Sequence, residues 1–238
     1  MHYVFRAYEN AAGVERRMLQ SEIAAREAEL RALRAQIDPH FLFNSLNSIS
    51  GLVAVNPAGA RSMAQRLGDF LRDSLTLGGV GRIPLEREVA LVRQYLEIEQ
   101  VRFGARLQVT SSVGESAAAT PVPALLLQPL VENAVRHGIA TCVDGGTVSI
   151  VAERAGSAVV IHVDNPRDPD ARVRKGTGLG LDIVRRRLRA AFGDDASMVV
   201  DAGEFHHRVT VTVPHAATAA MTTPAIAATA VRPAGEQR

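Results

Sequence analysis

The chain has 238 residues, 47% of them hydrophobic, enough for one fair-sized core plus a smaller helical module. Its formal net charge is only +2 and Lys175 is its sole lysine; no basic stripe gathers along it, which argues against direct nucleic-acid binding. Cys142 stands alone, so no intrachain disulfide framework is available and a reducing compartment is expected.

No apolar run approaches the roughly 18 residues of a membrane span, and the N-terminus lacks a basic-then-apolar signal pattern. The expected location is therefore cytoplasmic. Residues 1–14, which begin "MHYVFRAY", read as a lead-in. They would form a juxtamembrane exit, tethered to the inner face of a membrane, only if an upstream region of a longer parent protein is missing.

From about Glu15 to Val55 the pattern is helical. Leu19, Ile23, Leu30, Leu33 and Ile37 recur at coiled-coil spacing with Arg and Glu between them. After Pro39 an apolar seam resumes at Leu42, Leu46, Ile49 and Val53, shifted in phase by the proline. At about 100° per residue, His40 lies roughly 160° from Leu42, and Asn44 and Asn47 fall on its own polar line. "NPAG" at 56–59 stops one helix and starts the next, in which Met63, Leu67, Phe70, Leu71 and Leu75 share a face until "GGVGRIP". Such a hairpin cannot bury its seam alone, so residues 15–80 are expected to dimerise into a four-helix bundle.

A third helix, about Leu85 to Phe103, carries Val89, Val92, Tyr95, Leu96 and Glu99 into a second domain, 81–215. There "RLQVTSSV", "TVSIVAER", "AVVIHVDN", "SMVVDAG" and "RVTVTVP" read as strands, and "PALLLQPLVENAVRHGI" and "LGLDIVRRRLRAAF" as helices. The fold class expected is α+β: a helical hairpin followed by a two-layer sandwich with helices on one face of a mostly antiparallel sheet. Residues 216–238, rich in Ala, Thr and Pro, read as a disordered tail.

Three stretches of this second domain carry chemistry. In "LQPLVENAVRHG", Glu132, Asn133, Arg136 and His137 share a helix, and such a face can offer an amide oxygen to Mg²⁺ and cations to phosphate. The plainer reading is a capped polar face. Asp164, at the end of "IHVDNP", can accept from an exocyclic amine. Gly176, Gly178 and Gly180 precede a helix, so backbone N–H groups can approach a polyphosphate. A dinucleotide fingerprint is disfavoured because no βαβ unit with a ribose-binding acid follows.

In this order, from about Leu30 to Val213, the motifs resemble those of the LytS-like sensor histidine kinases. The run "QIDPHFLFNSLNSI", then "YLEIEQVRF", "QPLVENAVRHG" and the paired Asp164 and glycine elements carry the resemblance. It implies an ATP-binding domain of the Bergerat (GHKL) fold and an ATP-dependent protein-histidine kinase. His40 would be the phosphoacceptor, and Asn133 the Mg²⁺ ligand, with Arg136 and His137 beside the phosphates. Asp164 would read adenine, and Gly176, Thr177, Gly178 and Gly180 would close over the phosphates behind a lid at 167–175. The partners implied are a second copy of the chain and a response regulator whose aspartate accepts the phosphoryl group, of the LytTR type.

Three positions depart from the family pattern: Pro166 stands where glycine is usual, Asp182 where asparagine is common, and Phe41 where many histidine kinases place an acid. The base that takes the proton of His40 is therefore open between Asp38 and Glu132. A catalytically inactive nucleotide-binding scaffold is the alternative function. A serine kinase of the anti-sigma type leaves the His40 helix unexplained. His206 and His207 read as solvent-facing, and Arg185, Arg186, Arg187 and Arg189 as a solvated helix face.

Overall fold

The computed structural model describes residues 38–170 and 179–215. The expected helix before Asp38, most of the lid with Gly176, Thr177 and Gly178, and the tail lie outside the described residues.

Helix α1 spans Pro39–Val55. Asp38 is extended and its side chain accepts from the backbone N–H of His40 at 3.0 Å, so Pro39 opens the helix where no intrahelical donor is needed. Asn56 closes α1 and caps α2, Pro57–Gly78, by accepting from Gly59 N–H at 2.9 Å. The turn chemistry read from "NPAG" is thus one asparagine serving two helices.

Helix α1 carries two apolar stripes. Phe41 is buried, with Ser45, and faces the rest of the chain. The seam expected to be buried, Leu42, Leu46, Ile49 and Val53, lies about 100° round the helix. Leu46 and Val53 of that seam are 56% and 58% exposed. On α2 the buried line is Ala60, Met63, Leu67, Phe70 and Ser74, close to the expected one, except that Leu75 stays 39% exposed.

The connection to the sheet domain is a small β-ladder, β1 (Arg82–Pro84) antiparallel to β3 (Pro121–Pro123). Helix α3, Leu85–Phe103, follows β1 directly and ends at Gly104, whose φ of 58° suits a residue without Cβ. The main sheet comprises β2 (Leu107–Val113), β4 (Gly146–Ala155), β5 (Ala158–Pro166), β6 (Ser197–Ala202) and β7 (His206–Pro214), in the order β2-β4-β5-β7-β6. Only β2 and β4 are parallel; the other pairs are antiparallel. Val148, Ile150, Val159, Ile161, Val163, Val209, Val211 and Val213 alternate into the core, as period-two patterning requires.

Three helices cover that face: α3, α5 (Gln128–Ala134) and α6 (Leu179–Phe192), with the single turn α4 (Glu115–Ala118) at the edge. The expected helix over "PALLLQPLVENAVRHGI" is shorter than its apolar run. Leu125 has φ 58° and α5 starts only at Gln128. The hairpin shares the core of the sheet domain: Phe41 meets Tyr95 at 4.8 Å and Phe70 at 5.5 Å between ring centroids. No helix among the described residues is long and apolar enough to cross a membrane.

Candidate functional site

Leu130, Val131, Ala134, Val135 and Ile139 pin α5 and the turn after it to the core, which leaves Glu132, Asn133, Arg136 and His137 on the outer side. Past Ala134 the backbone widens into a π-helical turn, Val135–Ile139. The sequence expectation of uniform α spacing therefore fails at Arg136 and His137.

Gly138 makes the turn possible. A Cβ there would lie 2.4 Å from Asn165 Nδ2 and 2.8 Å from the Pro166 carbonyl. The helix end is pressed against the end of β5, which brings Asn133 and His137 to the strand that carries Asp164. Pro166, which stands where the family usually has glycine, is the last residue of β5 and lies opposite His206 in the ladder. Asp164 faces Ser149 and Arg208 across the sheet, and Arg208 Nε donates to its Oδ1. His137 is held below the usual imidazole range by burial and then by Arg136. Gly180 sits in the first turn of α6, where a Cβ would be 3.6 Å from the Pro129 carbonyl, so the helix that follows the glycine loop rests on the start of α5.

His40 is exposed on α1, and Asn44 Nδ2 stands 3.2 Å from each of its ring nitrogens. It lines a cavity of about 370 Å³ between the hairpin and the sheet domain, together with Asp38, Tyr95, Glu99, Glu132 and Arg136. Arg136 is not turned toward the β5 side: it donates to Asp38 Oδ2. Asp38 is committed to Arg136 and to capping α1. Glu132 is pushed up to about 7, chiefly by burial, while the hydrogen bond from Gln128 pulls it down.

Sequence reasoning missed the buried roles of four residues. Glu88, fully buried, accepts from the backbone N–H groups of Leu125 and Leu127 and is pushed up to about 7 by burial. Its position on the apolar face, three residues after Leu85 and four before Val92, was the available signal. Glu99 is also buried and pushed up to about 7, with Arg102 as its ion partner. Arg187 belongs to the cluster read as solvated, yet it turns inward to donate to the Leu125 carbonyl, and burial lowers its pKa. Gln128 joins α5 to the hairpin. His207 is half-buried rather than solvent-facing. Among the described residues no group of three His, Cys, Asp or Glu side chains is placed to hold a metal ion.

Residues 28–107 match the family described as histidine kinase. Sensor histidine kinase BtsS of Escherichia coli (strain K12) is 35% identical over 189 residues, which cover 79% of this chain and 34% of BtsS. Sensor histidine kinase YpdA of the same strain is 38% identical over 179 residues, 71% of this chain and 32% of YpdA. Sensor histidine kinase/phosphatase LytS of Staphylococcus aureus (strain Mu50 / ATCC 700699) is 33% identical over 186 residues, 73% of this chain and 32% of LytS. The chain spans about a third of the length of the curated relatives it matches. By these matches the chain belongs to the LytS-like sensor histidine kinase family.

Proposed function

We propose that this chain is the kinase portion of a two-component sensor, which autophosphorylates His40 from ATP and passes the phosphoryl group to an aspartate of a response regulator. The observation that carries this reading is the cavity shared by His40 and Glu132. An acceptor imidazole and a carboxylate with a proton affinity near neutrality face the same space, which is the pairing a proton-coupled transfer needs.

One ring nitrogen of neutral His40 attacks the γ-phosphorus, the bond from that phosphorus to the β,γ-bridging oxygen breaks, and ADP leaves. Glu132 takes the proton from the other ring nitrogen, so the ring ends neutral. Asn133 offers a hard amide oxygen of the kind Mg²⁺ accepts, and the bound ion would offset charge on the transferred group. The other contacts proposed for the nucleotide are Asp164 to adenine, through the oxygen that Arg208 leaves free, and His137 with Gly176, Thr177, Gly178 and Gly180 toward the phosphates. Arg136 reaches the phosphates only by leaving Asp38.

A second copy of the chain completes the hairpin as a four-helix bundle. The open stripe of Phe43 (69% exposed), Leu46 and Val53 on α1, beside Leu75 on α2, supports this, because an apolar face of this kind calls for a partner. The proposed regulator is of the LytTR type, and ATP use sets the site on the cytoplasmic side of any membrane.

The deciding experiment incubates the chain and its His40→Gln variant with Mg²⁺ and γ-labelled ATP, then challenges the label with acid and with alkali. Acid-labile, alkali-stable label lost in the variant is the expected result. Label that survives in His40→Gln, or that is alkali-labile, overturns the assignment.

A further inference from the structure

Arg136 stands in the turn beyond α5, where the π-helical backbone opens. Its guanidinium crosses to Asp38, 98 positions earlier and just ahead of α1, and donates to Oδ2. The other oxygen of that carboxylate, Oδ1, accepts from the backbone N–H of His40 at 3.0 Å. One carboxylate therefore joins the first turn of α1 to the turn that carries Arg136 and His137. Farther along the hairpin, Arg66 meets Glu97 and Asp73 meets Gln94, both on α3, so those contacts leave the end of α5 alone.

The two partners differ in access. The Asp38 side chain is 18% exposed and that of Arg136 is 49% exposed, so the carboxylate is enclosed while half of the arginine faces solvent. An anion can approach the guanidinium from outside without disturbing Phe41, which packs the same turn of α1 into the core. Guanidinium takes carboxylate and phosphate through the same forked N–H geometry. A polyphosphate brings several charges against the single charge of Asp38. It also repels Asp38, because like charges held close in a partly enclosed site raise each other's energy.

We propose that Asp38 and the phosphates of the bound nucleotide compete for Arg136, so that the seated hairpin weakens nucleotide binding and the nucleotide in turn loosens the first turn of α1. The proposal rests on the reading of Arg136 as a phosphate contact, and it holds whichever group takes the proton of His40. Its two halves are one quantity, because linkage requires that each ligand of a shared group lower the affinity of the other by the same factor. Without nucleotide, both oxygens of Asp38 are engaged and His40 is held at its cavity. With Arg136 drawn to the phosphates, Oδ1 still caps the helix, so α1 persists while its start is free to shift. His40 gains the freedom to approach the γ-phosphorus only once a nucleotide is in place.

The test measures, by calorimetry on the full chain, the affinity for the β,γ-imido analogue of ATP with Mg²⁺ in the wild type, Asp38→Asn, Arg136→Gln and the double variant. Asparagine caps a helix as well as aspartate does but brings no charge to Arg136. Asp38→Asn is expected to bind about threefold more tightly, in keeping with a partly exposed ion pair. Asp38→Ser, which also caps and is too short to reach Arg136, is expected to do the same, and it decides the matter if the asparagine variant does not fold. Arg136→Gln is expected to bind roughly tenfold more weakly, and adding Asp38→Asn to it should change nothing further. If Arg136→Gln weakens binding but the Asp38 variants bind no more tightly than the wild type, the competition is overturned and the phosphate reading stands. Tightening that persists in the double variant reduces the effect to repulsion by Asp38 and overturns the competition as well. Wild-type affinity in Arg136→Gln overturns the phosphate reading and this proposal with it.

Discussion

Replacing Phe41 by alanine is expected to unseat the first turn of α1. The ring is 3% exposed, lies 4.8 Å from Tyr95 in a tilted arrangement and 5.5 Å from Phe70 edge to face. Truncating a buried phenylalanine costs about 3–5 kcal/mol, of which each aromatic pair supplies about 0.5–1.5 kcal/mol. Phe41 is the third residue of α1, where the helix end can settle partway into the space, so a loss of about 3 kcal/mol is expected. Urea unfolding of the wild type, Phe41→Ala, Tyr95→Leu and the double variant measures it. Hydrogen exchange tests whether α1 amides open before those of the sheet. A loss below about 1 kcal/mol, or strict additivity with Tyr95→Leu, would refute the seating of the hairpin on α3.

Two further outcomes follow from buried groups. Glu88 is raised from 4.5 to about 7 in the folded chain, so the native state holds a proton that the unfolded chain releases. Its contribution is fully present below about pH 4.5 and is lost as pH rises through about 7, a decline of about 3 kcal/mol. Urea unfolding between pH 4.5 and 8 should therefore show a steeper decline for the wild type than for Glu88→Gln, and parallel profiles would contradict the burial. At Gly138 an alanine Cβ would collide with Asn165 and with the backbone of Pro166, at about 1–3 kcal/mol. Thermal unfolding should register that loss and nucleotide affinity should fall with it, because the π turn carrying His137 is forced away from β5. A variant as stable as the wild type would rule the contact out.

Much of the fold is legible in short windows. The five strands of the main sheet follow the β-branched, alternating runs, and α6 covers "LGLDIVRRRLRAAF" from end to end. The helix starts at Pro39 and Pro57 are written in Asp38-Pro and Asn56-Pro, because a cap and its donor lie within three residues of each other. The errors fall where a long-range partner outranks the local pattern. "PALLLQPL" is apolar enough for helix throughout, but Glu88, 37 residues before Leu125, draws the Leu125 and Leu127 amides to itself and holds that segment out of the helix. Arg187 shares a run with three arginines and no local feature distinguishes it; burial beside Glu88 does.

Local pattern alone places a histidine on the polar side of an amphipathic helix, an asparagine and a histidine on one later helix, and a glycine loop before another. These are relations among residues a few positions apart, set by backbone geometry and side-chain period. Long-range packing settled which of the two apolar stripes of α1 turns to its own chain and that Arg136 reaches across 98 positions to Asp38. Those outcomes depend on packing and desolvation summed over elements far apart in the chain, and burial is what moves a carboxylate from the ordinary range to one useful near neutrality.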